Sequence, residues 1–180
     1  MIGMRERTLT GHWLRRPLRH WTCGAARARR LFPPEAIRRL EQAVKAGETT
    51  HRAEVRIVIE PRLDGAALRA RLDPRARALQ VFAEQGVWDT EGNNGVLLYL
   101  LLADHAVEIV ADRAAARAVP ADRWREVCDA LVHAYRREDW LDGTLAAVEQ
   151  IHALLAQAFP AGSADAPPDV DELPNRPVIL

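Results

Sequence analysis

The residues best suited to chemistry lie in one polar stretch, Val87-Trp88-Asp89-Thr90-Glu91-Gly92-Asn93-Asn94-Gly95, and in the pair Asp112-Arg113. Asp89, Glu91, Asn93 and Asn94 offer hard oxygen donors, and Asp112 adds another wherever the fold brings it alongside. Such donors suit Ca²⁺ or Mg²⁺. A cation held by Asp89, Glu91, Asn94 and Asp112 would neutralise a phosphate ester during hydrolysis, with Arg113 as the phosphate clamp. The same residue types also build a tight loop for backbone reasons alone, because Asx side chains close turns and glycine accepts positive φ. A cation site and a plain Asx-rich turn are both open at this point.

Other chemistries find little support. His12, His20, His51, His105, His133 and His152 form no H-x-x-x-H or H-E-x-x-H pattern, so a zinc hydrolase is not indicated. All six read as surface or satisfied helical histidines. Ser163 is the sole serine, it lies in the Pro- and Asp-rich stretch near the C-terminus, and no G-x-S-x-G occurs, which removes serine hydrolase chemistry. Nor is there a G-x-G-x-x-G or P-loop cradle for nucleotide phosphates. Cys23 and Cys128 are too few and too distant for a zinc knuckle or a disulfide framework, and Cys128 falls in an apolar helical stripe where a thiol is inert. Aromatics make up 6% of the chain and do not alternate with the arginines, so no RNA-binding platform or other nucleic-acid partner is expected.

These residues need a scaffold, and 180 residues suffice for one core. The formal net charge is zero, so no overall field selects nucleic acid or anionic lipid. Charge is nonetheless uneven: Arg5, Arg7, Arg15, Arg16, Arg19, Arg27, Arg29 and Arg30 crowd the start, and Asp165, Asp169, Asp171 and Glu172 the end. The longest apolar run, Val96 to Ala103, is far shorter than the roughly 20 residues of a spanning helix. With no signal peptide visible, the expectation is a soluble, cytoplasmic protein without membrane insertion.

Three regions follow. Residues 1–32 form an Arg-rich arm, expected to dock through Trp13, Trp21 and Phe32. Residues 33–160 form one α/β domain, and 161–180 a Pro/Asp-rich tail. Within the domain, Pro33-Pro34 open a helix that Gly47 is expected to stop. Val55, Ile57 and Ile59 alternate in a strand from Glu54 to Glu60. Asp73-Pro74 start a second helix that Gly86 caps. Val96 to Ala103 is apolar throughout, as a strand covered on both faces is, and Asp104-His105 turns it into a return strand, Ala106 to Ala111. Trp124, Val127, Cys128, Leu131, Val132 and Tyr135 mark one amphipathic helix; Leu145, Val148, Ile151, Leu155 and Phe159 mark another. The order predicts a small mixed sheet sandwiched between helices. A helical crossover makes the first two strands parallel, and the hairpin makes the third antiparallel. The Asp89–Asn94 loop and Asp112-Arg113 then meet at one end of the sheet.

The run from Asn94-Gly95 through the apolar strand, Asp104-His105 and Val107-Glu108-Ile109-Val110 resembles the signature of the TPM domain family. Glu138-Asp139-Trp140-Leu141-Asp142-Gly143 is similar to the segment joining that family's last two helices. The ending Asp171-Glu172-Leu173-Pro174-Asn175-Arg176-Pro177, with Trp88-Asp89-Thr90, is similar to its soluble bacterial branch. The resemblance spans residues 34–160 and implies the same α/β sandwich. It implies either acid phosphatase activity or metal binding without it, since members of both kinds are known. Many members follow the third strand with a Gly-aromatic-Gly turn; Ala111-Asp112-Arg113-Ala114-Ala115 departs from it, which weighs against phosphatase chemistry. The expectation is thus an accessory, interacting protein rather than an enzyme. Its partner would be a protein, such as a membrane-anchored TPM relative, contacted through the Arg-rich arm and acidic tail. Ca²⁺ or Mg²⁺ is the implied ligand, and a metal-assisted phosphatase is the alternative.

Overall fold

Alternation of apolar residues builds the sheet first. The computed structural model describes residue 16, residues 20–162 and residues 171–180. Strand β1 is Val55–Glu60, β2 is Val96–Leu101 and β3 is Ala106–Ala111. β1 and β2 run parallel from Val55↔Val96 to Glu60↔Leu101; β2 and β3 run antiparallel from Val96↔Ala111 to Leu101↔Ala106. Every residue of β1 and β2 is buried, as expected for strands covered on both faces. Odd and even positions therefore feed two separate cores. Ile57, Ile59, Leu98, Leu100 and Ile109 face one, whereas Val58, Leu97, Tyr99, Leu101 and Val110 face the other.

Helices cover each face. α1 (Ala25–Leu31), α2 (Pro34–Glu48), α5 (Arg113–Ala118), α6 (Ala121–Arg136) and α7 (Leu141–Ala158) lie with the first core, through Leu40, Val44, Val127, Leu131, Val148 and Ile151. α3 (Gly65–Arg69) and α4 (Pro74–Glu84) lie with the second, through Ala67, Ala78 and Val81. Asp64 and Asp73 cap α3 and α4 by accepting from Ala67 N and Ala76 N, at 2.7 and 2.8 Å. Gly86 follows α4 at φ +67°, the cap expected of it. A mixed sheet between helices, in a single domain, is thus the observed architecture.

Several local expectations are corrected. α2 runs on to Glu48 through Gly47, whose place is set by packing instead: a Cβ there would stand 2.2 Å from the His152 ring. The hairpin is wider than a two-residue turn, with a 3₁₀ turn at Leu102–Asp104 and His105 in the left-handed region at φ 51°. Short helices α3 and α5 occupy stretches to which the sequence pattern assigns no element. Trp21 does not dock the arm, being 79% exposed; Phe32 is buried as expected, and His20 and Cys23 are buried with it. Trp13 lies outside the described residues. The segment read as a tail returns to the sheet, where β4 (Val178–Ile179) pairs in parallel with Val58 and Ile59, giving the order β3-β2-β1-β4. Among the described residues, no helix is long and apolar enough to cross a membrane.

Candidate functional site

The end of the sheet where β1 and β2 begin gathers the polar loop. Asp112 N donates to Gly95 O at 2.8 Å and Ala114 N to Asn93 O at 2.9 Å, so the end of β3 is fastened to the start of β2. The loop holds its shape through Thr90, whose carbonyl accepts from Asn93 N at 3.0 Å and whose hydroxyl accepts from Asn94 N at 3.1 Å. Gly95 is required here, since a Cβ would fall 2.1 Å from the Val87 carbonyl oxygen. Asn94 is buried, and its amide donates to Arg52 O. Arg113 donates to Asn93 Oδ1, and its Nε lies 3.7 Å from Asp112 Oδ1.

Among the described residues, one oxygen of Asp112 and one of Asn94 make no hydrogen bond. Asp112 Oδ2 and Asn94 Oδ1 are buried without a hydrogen bond, although their residues are only 7% and 6% exposed. Asp112 starts α5, yet its carboxylate does not cap that helix. A buried acceptor left unmatched is costly, and one that persists points to a water or an ion. Hard oxygen, anionic in Asp112 and neutral in the Asn94 amide, is also the donor type that Ca²⁺ or Mg²⁺ takes, and in donor type these residues fit such a cation.

The remaining predicted ligands are placed differently. Asp89 and Glu91 are exposed, and Glu91 N is held by the Glu172 carboxylate at 2.9 Å. Asp89, Glu91 and Asp112 do not form a trio within one cation's reach. Among the described residues that description belongs to Glu48, Glu54 and Asp171, whose oxygens lie within 4.8 Å of one another. Glu54 is buried and accepts from Leu173 N at 3.2 Å. Burial pushes its carboxyl up to about 7, with Asp171 and Glu172 adding to the rise and backbone amides opposing it. Arg56, buried as well, donates to Pro174 O and Arg176 O. These two residues anchor the C-terminal segment.

Three polar networks escaped the sequence reading. At the opposite end of the sheet, Tyr99 donates to Glu60 at 2.5 Å and Arg77 pairs with the same carboxylate at 3.0 Å. Burial raises the Tyr99 phenol far above its usual range. Asp104 holds Arg16 at 2.7 Å and His20 at 3.0 Å, and His20 Nδ1 accepts from Leu63 N at 2.9 Å. Burial alone would raise Asp104, but His20 and Arg16 hold it below the carboxylate range. The third network is His51 with His152, their rings stacked and bonded at 2.8 Å. His105 and His133 are exposed and His20 is a satisfied helical histidine, as expected, whereas His51 is buried outside any helix and His152, on α7, keeps Nε2 without a partner. The inert reading of Cys128 stands, since burial pushes its thiol up to about 12.

Residues 27–154 match the TPM phosphatase family model, described as the TPM domain. The chain is similar to the NMR structure of BA42 protein from the psychrophilic bacterium Bizionia argentinensis. The TM-score is 0.69 at 25% identity, covering 81% of this chain and 92% of that one. It shares its fold with the N-terminal domain of a protein from P. gingivalis, at TM-score 0.59 and 18% identity over 72% of this chain and 79% of that one. No curated protein matches it.

Proposed function

The chain belongs to the TPM domain family, and from that premise we propose that it is an accessory module that binds a divalent cation and recognises a protein partner. The observation that carries the reading is the unmatched Asp112 Oδ2, buried beside the loop that Asn94 closes. Asp112 and Asn94 would hold Ca²⁺ or Mg²⁺, and the bound cation would supply charge that stiffens the loop. Trp88, directly before Asp89 and 52% exposed, gives this edge an apolar contact for a partner. A membrane-anchored relative is the partner class the family suggests.

Phosphatase action is the less favoured reading. Arg113, the group that would clamp phosphate, is engaged by Asn93 and Asp112, and Asp89 and Glu91 stand exposed away from a shared ligand position. Thermal melts in excess Ca²⁺ or Mg²⁺ and in chelator test the cation. A concentration a hundredfold above Kd stabilises by about 2.7 kcal/mol, and Asp112→Asn should abolish the gain. Equal melting temperatures with cation and with chelator would remove the cation reading. Phosphomonoester turnover that disappears in Arg113→Ala would establish the phosphatase instead.

A further inference from the structure

The buried histidine pair has a definite proton arrangement. Ala53 N donates to His51 Nδ1 at 3.2 Å, so a neutral His51 carries its proton on Nε2. That proton points along the 2.8 Å bond to His152 Nδ1, which must accept it. His152 then carries its own proton on Nε2, and that atom is buried without a partner. Each ring is neutral in this chain of donors. A further proton must go to Nδ1 of one ring or the other, and either choice turns an acceptor into a donor and breaks a hydrogen bond.

Position makes the pair mechanical. Gly47 of α2 leaves the space that the His152 ring of α7 fills. His51 opens the segment entering β1, where Arg52 N donates to Phe159 O at 3.0 Å and Ala161 N donates to Thr50 O at 3.2 Å. The residues just beyond α7 are therefore stitched to residues 50–52. The Arg52 carbonyl in turn accepts from the Asn94 amide at the candidate site.

We propose that His51 and His152 form an acid-operated clasp, which closes the end of α7 onto residues 50–52 when neutral and opens when protonated, loosening the Arg52–Asn94 link. The last clause rests on the cation-site reading; the clasp itself does not. Burial, and then repulsion from His51 once that ring takes up a proton, push His152 down to about 4. Of the charged groups on the elements that carry the pair, Asp142 and Glu149 on α7 line the same hollow as His152, Glu48 on α2 accepts the His51 amide through its carbonyl, and Lys45, Arg52 and Glu54 lie nearby in the chain. None of them offsets the effect of His51 on His152. A histidine lowered in the fold stabilises it fully above its unfolded value near 6.5, and that contribution is lost as pH falls toward 4.

The test is NMR on the intact chain between pH 7.5 and 4.5. Histidine ¹⁵N shifts at pH 7.5 should show the Nε2–H tautomer for both rings. Protection of the Arg52 and Ala161 amides should fall by up to roughly tenfold per pH unit below about 6.5, while Leu98 keeps its protection. His152→Phe, which retains a ring beneath Gly47, should flatten that dependence, and wild-type tautomers decide the matter should the variant misfold. His152 titrating near 6.5 with amide protection unchanged would overturn the clasp. A clasp that opens while Ca²⁺ and Mg²⁺ leave the melting temperature unmoved would refute only the cation site and its link.

Discussion

Where β1 and β2 finish, buried charge is matched: Glu60 holds Tyr99 and Arg77, and Asp104 holds Arg16 and His20. Where they begin, Asn94, Asp112 and His152 each keep a buried polar atom without a partner, and Glu54 is pushed toward its neutral form. Both ends belong to one sheet. In open parallel sheets, ligands favour the carboxyl ends of the strands. Here the candidate site lies at the amino ends of β1 and β2, because the antiparallel β3 returns Asp112 there. The matched end fastens the structure, and the unmatched end is where the proposed cation and the proposed proton switch would act.

The sharpest way to break this contrast is Glu60→Ala. It would leave the Tyr99 hydroxyl without its acceptor and Arg77 without its buried carboxylate, so urea unfolding should show a loss of about 3 kcal/mol. An unchanged midpoint would mean the matched end is not a fastening. Glu54 gives the next largest effect, with a sign of its own. Its carboxyl is raised from 4.5 to about 7, so the stabilisation is complete below pH 4.5 and is lost as pH rises through 7. Stability should fall by up to about 3 kcal/mol across that window, and Glu54→Gln should flatten the fall. The smallest effect belongs to Asp112→Asn, which should change cation-free stability by less than about 1 kcal/mol, since its one ion pair is with an exposed Arg113. A loss as large as that of Glu60→Ala would make Asp112 a structural residue.

Legibility in the sequence followed the range of the interactions. Val55, Ile57 and Ile59, the apolar run from Val96, and the Asp73-Pro74 and Gly86 caps are local patterns, and each element formed as read. From these the topology, and with it the meeting of Asn93–Gly95 with Asp112–Ala114, was derivable. The His51–His152 bond joins residues 101 positions apart, and nothing near either histidine announces it. Gly47 shows the same limit. A glycine near a helix end looks like a stop, yet here it makes room for a ring from another helix. β4 is two residues long and depends on Glu54 and Arg56 to seat it, so its own sequence carries no strand pattern. The candidate ligands divided likewise: the topology reached Asp112 and Asn94, whereas the outward placement of Asp89 and Glu91 depended on loop geometry.

One property of β2 reaches beyond the native state. From Val96 to Leu102 the chain has no charge, no proline and no glycine, and all seven residues are buried. Inside the sheet this run is shielded by neighbours on both edges and both faces. Set loose, it is a segment of the type that stacks with copies of itself into dry, paired sheets. Unfolded molecules of this protein therefore meet a competing, intermolecular fate whenever they meet each other. Where that encounter outpaces refolding, the lifetime of the protein follows how rarely the sheet opens.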